Sequence, residues 1–223
     1  MKEIARAKVN LCLEVTEKLP DGYHGVRSLM QSLEFGDTVE LEPGDRPWRV
    51  RSDLPYLPSD EGNLAAKAAL LFRRLTGLGP EGGTIRLTKR IPVCGGFGGG
   101  SSDAAAVLRL LNRSCGCPLT WEDLERESLA LGADVPFCIR GGSALAEGKG
   151  ENLTPLPDPE PIPVVVCRPD FLCSTAELFR AYDRQKQRLR PDVPGMVAAL
   201  RAGDPRGIAR RMFNAFESVL SRS

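Results

Sequence analysis

The sequence has no excess of either charge: 30 lysines and arginines stand against 29 aspartates and glutamates, for a formal net of +1. Nucleic-acid binders usually carry a basic excess or stripe. None is present, and Arg206, Arg210 and Arg211 read as one solvated helix face. No stretch approaches the ~20 apolar residues of a membrane span, and the first residues lack the apolar core of a signal peptide. Neither a nucleic-acid nor a membrane partner is expected, and the expected location is cytoplasmic. The seven cysteines, an odd number, include no Cys-x-x-Cys pair. Cys115 and Cys117 are too close for the usual metal-pair spacing, and no second pair complements them. The set reads as reduced thiols. Two phosphate-site signatures are also missing. No lysine follows the glycines to make GxxxxGK[ST], and a GxGxxG starting at Gly96 fails at Ser101. No internal repeat is visible.

What is present suits a globular chain. Its 223 residues, 42% of them hydrophobic, are enough for one large domain or two small ones. Ala5, Ala7, Val9, Leu11, Leu13 and Val15 alternate with Arg6, Lys8, Asn10, Cys12 and Glu14, which predicts a half-buried strand. Lys8 and Asn10 are then neighbours on the face away from the core. Pro20-Asp21-Gly22 predicts a turn, and Asp37–Glu42 and Trp48–Arg51 predict strands. Asn63 caps a helix with Leu64, Ala68, Leu71 and Leu75 on its apolar face. Thr84–Arg90 alternates as a strand, Ser102–Asn112 is helical, and Thr120 caps another helix ending near Gly132.

A stretch rich in proline and acid, Pro155–Pro163, marks a domain boundary. Beyond it Val164–Cys167 reads as a buried strand, Ser174-Thr175-Ala176-Glu177 as a capping box, and Asp204-Pro205 as the start of a last amphipathic helix. One strand cannot form a sheet alone, so the second domain is expected to be incomplete.

The most informative segment is Pro92-Val93-Cys94-Gly95-Gly96-Phe97-Gly98-Gly99-Gly100-Ser101-Ser102-Asp103, between a predicted strand and a predicted helix. Five glycines among residues 95–100 permit positive φ and close approach of the backbone to a ligand. The following helix start offers unpaired N–H groups and partial positive charge. Together these favour a phosphate, with the Ser101 and Ser102 hydroxyls able to bond phosphate or a magnesium ion.

At these residues the chain resembles the GHMP kinase superfamily, whose second motif Pro92–Ala106 is similar to. Lys8 and Asn10, Pro20-Asp21-Gly22-Tyr23-His24, Gly132-Ala133-Asp134-Val135-Pro136-Phe137 and Ser174-Thr175-Ala176-Glu177-Leu178-Phe179 resemble the branch acting on a cytidine diphosphate-linked methylerythritol. The resemblance implies an α+β fold of two domains: a ribosomal protein S5-like N-terminal domain over 1–154 and a partial ferredoxin-like C-terminal domain over 155–223. It also implies ATP-dependent phosphorylation of the substrate's 2-hydroxyl in isoprenoid synthesis. The turn departs from the family's usual Gly-Ala-Gly-Leu at Val93-Cys94-Gly95-Gly96-Phe97, and the chain stops before the family's third, glycine-rich motif. A truncated nucleotide-binding protein without full catalysis is the alternative. Homoserine and mevalonate-type kinases fit Tyr23, His24 and the Ser-Thr-Ala-Glu element less well.

The roles the resemblance implies follow residue by residue. Asp134 takes the hydroxyl proton, Lys8 lies beside it, and residues 92–103 hold ATP. Asn10 bonds the substrate, His24 reads the cytosine edge, Tyr23 and Phe179 sandwich the ring, and Thr175 touches the polyol. Mg2+ bridges the β- and γ-phosphates with Ser102 as protein ligand. A monomer or weak homodimer is expected.

Overall fold

The computed structural model describes residues 1–167, 174–185 and 188–220. The chain forms two compact units, each discontinuous in sequence: residues 1–9 with 32–141, and residues 10–31 with 142–223. Two long strands make this possible. β1 (Lys2–Lys18) has 17 residues and β2 (His24–Gly44) has 21, so each contributes to both units. The linear boundary expected near residue 155 falls inside the second unit.

In the first unit β2 pairs antiparallel with β4 (Gly82–Thr88), Val39 opposite Leu87, and β4 pairs parallel with β3 (Arg49–Ser52). Four helices accompany them: α1 (Leu64–Thr76), α2 (Gly99–Ser114), α3 (Trp121–Ser128) and α4 (Val135–Arg140). The expected caps form. Asn63 accepts from the Ala65 N–H at 3.0 Å, and Thr120 makes a capping box with Asp123. Helix α2 packs against both α1 and α4, and every residue from Ser102 to Leu108 is buried. Ala104, Ala105 and Ala106 explain this, since small side chains let neighbours approach on every side. Helix α2 starts three residues earlier than expected, drawing Gly99, Gly100 and Ser101 into its first turn.

The alternation of β1 holds on one face, where Ala5, Ala7, Leu11 and Val15 are buried. The other face was expected in water, yet Lys8, Cys12 and Glu14 are buried as well. Both faces of the strand are therefore covered, which a period of two cannot reveal.

In the second unit β5 (Ser143–Glu147) pairs antiparallel with β2 and with β6 (Asn152–Leu156). Among the described residues three helices follow: α5 (Thr175–Asp183), α6 (Val193–Arg201) and α7 (Pro205–Arg211). Val15, Tyr182, Ala215 and Phe216 form a core, with Leu13, Leu178, Phe179 and Val219 against it. Two expectations fail here. Val164–Cys167 is not a buried strand: no residue of it is in a strand, and Val165 is 97% exposed. Pro159, Pro161 and Pro163 just before it supply no N–H donors to a ladder. Ser174 precedes α5 but makes no side-chain cap. A short strand that the sequence did not suggest, β7 (Phe213–Asn214), pairs in parallel with Cys12 and Leu13 of β1.

Candidate functional site

The glycine-rich turn lies between β4 and α2 as expected. Its backbone reaches positive φ at Cys94 (57°), Gly96 (78°) and Gly98 (69°). Cys94 bears the strain a side chain meets in that region. A Cβ on Gly96 would meet nothing within 4 Å, whereas one on Gly98 would lie 2.9 Å from Lys8 Cγ. Gly96 thus faces open space, and Gly98 is where the turn closes on a lysine. Gly98 is the N-cap of α2 and offers no side-chain cap, which leaves first-turn N–H groups as donors for an anion.

Lys8 and Asp134 come together in this same unit. Lys8 Nζ is 3.3 Å from Asp134 Oδ2, with the lysine side chain 5% and the aspartate 36% exposed. The Lys8 backbone N–H donates to Phe97 O at 3.0 Å, tying β1 to the turn. Asp134 is the N-cap residue of α4, and the Val135 N–H donates to Gly132 O at 3.1 Å, which sets the turn. A buried cation therefore holds one side of a carboxylate that stays open on the other. One helical turn on, burial and the nearby Asp134 charge push the Cys138 thiol up to about 12. The thiol therefore stays neutral.

Two residues of the turn do not face a ligand. Ser102 is 1% exposed, and its hydroxyl donates to Arg6 O at 2.5 Å. The hydroxyl pins α2 to β1, so Ser102 fits a magnesium ligand poorly. Asp103 is also buried, and its Oδ2 accepts from Lys89 Nζ at 2.5 Å. Lys89 Nζ also donates to Asp37 Oδ2, and Asp37 Oδ1 accepts from the N–H groups of Arg90 and of Ile91, the latter at 2.7 Å. Burial pulls the Lys89 ammonium down, but Asp103 and Asp37 outweigh it and leave it raised. The expectations from sequence missed Asp37 and Lys89. The one available signal was Lys89 standing just ahead of the glycine run.

The residues expected to read a base lie in the second unit. His24 opens β2, and its ring stacks on Phe179 with centroids 4.7 Å apart and planes 12° from parallel. His24 Nε2 and Asp183 Oδ1 are 2.7 Å apart, and that hydrogen bond lowers the Asp183 carboxyl below its usual range against the opposing effect of desolvation. Phe179 also meets Phe216 edge-on at 4.9 Å, which joins it to the core. Tyr23 is 65% exposed, with Lys149 Nζ 4.7 Å from its ring centre. Lys149 in turn pairs with Asp21 of the same turn. Phe179 is thus stacked on His24, and Tyr23 stands beside Lys149. Asn10 is half-buried on β1. Thr175 begins α5, and its side chain lies outside the described residues.

Residues 63–142 match the family described as the GHMP kinases N terminal domain. A 4-diphosphocytidyl-2-C-methyl-D-erythritol kinase of Clostridium beijerinckii is 38% identical over 222 residues, covering 100% of this chain and 79% of that protein. The enzyme of that name from Alkaliphilus metalliredigens is 40% identical over 227 residues, covering 100% and 78%. A crystal structure of 4-(cytidine 5'-diphospho)-2C-methyl-D-erythritol kinase superposes with a TM-score of 0.77 at 34% identity, over 98% of this chain and 76% of that one. A homoserine kinase from Cytophaga hutchinsonii shares the fold at a TM-score of 0.65 and 24% identity, over 86% and 67%. The α+β fold is that of the GHMP kinases. The chain itself belongs to the family of 4-diphosphocytidyl-2-C-methyl-D-erythritol kinases.

Proposed function

We propose that this chain transfers the γ-phosphoryl group of ATP to the 2-hydroxyl of 4-diphosphocytidyl-2-C-methyl-D-erythritol, a step of non-mevalonate isoprenoid synthesis. The observation that carries the reading is the Lys8–Asp134 pair at 3.3 Å, with Lys8 packed against Gly98 of the glycine turn. Phosphoryl transfer asks a protein mainly for positioning and charge neutralisation. Asp134 accepts the proton of the attacking hydroxyl. The Lys8 ammonium, 3.3 Å from that carboxylate, stabilises the alkoxide as it forms. Backbone N–H groups of the turn and of the first residues of α2 receive the phosphates.

The fit to ATP rests on the turn's left-handed residues and on the open space over Gly96. For magnesium, no cluster of three or more His, Cys, Asp or Glu side chains gathers among the described residues. Magnesium often keeps waters and phosphate oxygens as ligands, and when bound with the nucleotide it supplies charge neutralisation there. Among the described residues no helix is long and apolar enough to cross a membrane.

A coupled assay that follows ADP release tests substrate and activity together, with the cytidine-linked alcohol, homoserine and mevalonate offered in parallel. Turnover confined to the first is expected. Equal turnover of homoserine or mevalonate would remove the substrate assignment, and ATP binding without turnover of any would favour a non-catalytic nucleotide binder.

Recognition of the base makes a separate prediction. Phe179, stacked on His24, is the ring assigned to stacking on cytosine. Base–aromatic stacking contributes roughly 1–3 kcal/mol. Phe179→Ala is therefore expected to raise KM for the cytidine-linked substrate about 5- to 150-fold with a smaller change in kcat. Because Phe179 also touches Phe216, thermal melting is recorded alongside. An equal loss with an alcohol lacking the base would contradict stacking.

A further inference from the structure

The Asp37–Lys89–Asp103 network joins the two ends of the glycine turn. Asp37 on β2 accepts from the backbone N–H groups of Arg90 and Ile91, where the turn begins. Asp103 lies on α2, in the helix that the turn feeds. Lys89 donates to both carboxylates and so closes a ring around the residues between. Its Nζ lies 3.5 Å from where a Cβ on Gly99 would sit, directly against the first helical residue. The side chains of Asp37, Lys89 and Asp103 are 0%, 4% and 3% exposed.

Stability alone is a weak reason for such a cluster. Taking three ionisable groups out of water is costly, and replacing a buried ion cluster with apolar side chains is often neutral or stabilising. Two carboxylates and one ammonium also leave an uneven charge beneath a loop meant for an anion. One oxygen, Asp103 Oδ1, is buried with no hydrogen-bond partner, and burial pushes the Asp103 carboxyl up to about 7 in spite of Lys89. What the cluster does supply is direction. Each bond fixes one element against another, and the elements fixed are the strand before the turn and the helix after it. The N–H groups that face an anion lie between those two anchors.

We infer that Asp37, Lys89 and Asp103 are positioning residues for the nucleotide: a buried clasp that holds the glycine turn in its phosphate-binding shape without touching the phosphates. The inference rests on the reading of the turn as the ATP site. Misplacement of a reacting group by about 1 Å can lower rate ~10²-fold, so a clasp that keeps the turn in place has a measurable consequence.

Calorimetric binding of a non-hydrolysable ATP analogue with magnesium, and separately of the cytidine-linked alcohol, tests it on the full chain. Asp103→Ala is expected to weaken the ATP analogue at least ~10-fold and to leave the cytidine-linked ligand within about twofold. Asp103→Asn, which keeps an oxygen for Lys89 Nζ, is expected to stay within about threefold for both. Lys89→Met, which cuts both bonds at once, is expected to behave as Asp103→Ala. Unchanged analogue binding in Asp103→Ala and Lys89→Met would overturn the clasp. Equal weakening of both ligands would overturn it too, because that is what general loss of structure produces. If Asp103→Ala fails to fold, the Asn variant and Lys89→Met decide by the same ratio. Failure of the unaltered chain to bind the ATP analogue would sink the reading of the turn itself, and the clasp with it.

Discussion

Asp134→Ala is expected to lower kcat at least ~10²-fold, the lower end for removing a general base, while the ATP analogue still binds. The reason lies in what the carboxylate touches. It is held on one side by Lys8 at 3.3 Å and is 36% exposed, so its other side is free to meet a hydroxyl. Lys8, which links Asp134 to the nucleotide turn, is separately anchored by its backbone N–H bond to Phe97 O at 3.0 Å. Loss of turnover with retention of nucleotide is therefore the signature. Steady-state kinetics with the cytidine-linked alcohol and calorimetry with the analogue measure the two halves, and turnover unchanged in the variant would remove Asp134 from the reaction. A stability effect accompanies it. Removing one partner from a fully buried pair costs roughly 3–5 kcal/mol, but water reaches the Asp134 side, so a smaller fall in melting temperature is expected.

The parts of this site that were legible in the sequence are the local ones. Strand, glycine run and helix follow one another without interruption, so the phosphate turn reads from residues 84–112 alone. The caps at Asn63 and Thr120 are legible for the same reason: donor and acceptor lie within three residues. The Lys8–Asp134 pairing was reached through family resemblance, since nothing in the alternation of β1 or in the Gly-Ala-Asp turn names the other partner. Resemblance also named His24 and Phe179, but not Asp183, which lies 159 residues from His24 and bonds its ring.

The failures have physical causes. Periodicity placed Lys8 in water because strand alternation reports which face is polar, not what covers it. Here the glycine turn covers it, and the long apolar stem of lysine makes that burial tolerable. Val164–Cys167 misled in the opposite way. An apolar run reads as a buried strand, yet the prolines just before it supply no ladder donors. The clasp was invisible because Asp37 and Lys89 are 52 residues apart and each, taken singly, is an ordinary charged residue at a strand.

Lys8→Met is the second large effect, expected to reduce kcat about 10²- to 10³-fold, the range seen when one donor to a developing oxyanion is removed. Methionine keeps much of the stem's volume, so β1 and the turn should hold their packing while the ammonium is gone. Lys8→Arg distinguishes charge from shape. Its charge is retained, but the planar, broader head has to fit where the lysine stem already presses on Gly98 and the ammonium is buried beside Asp134. Partial activity, above Met and below lysine, is the expected order. Gly98→Ala provides an independent route to the same defect. Its Cβ would stand 2.9 Å from Lys8 Cγ at a residue with φ of +69°, so either the lysine or the turn must shift. If the lysine shifts, kcat falls with the analogue still bound; if the turn shifts, analogue binding falls as well. Wild-type kcat in both Lys8→Met and Gly98→Ala would show that the buried ammonium takes no part in transfer. The chemistry would then rest on Asp134 and the backbone donors of the turn alone.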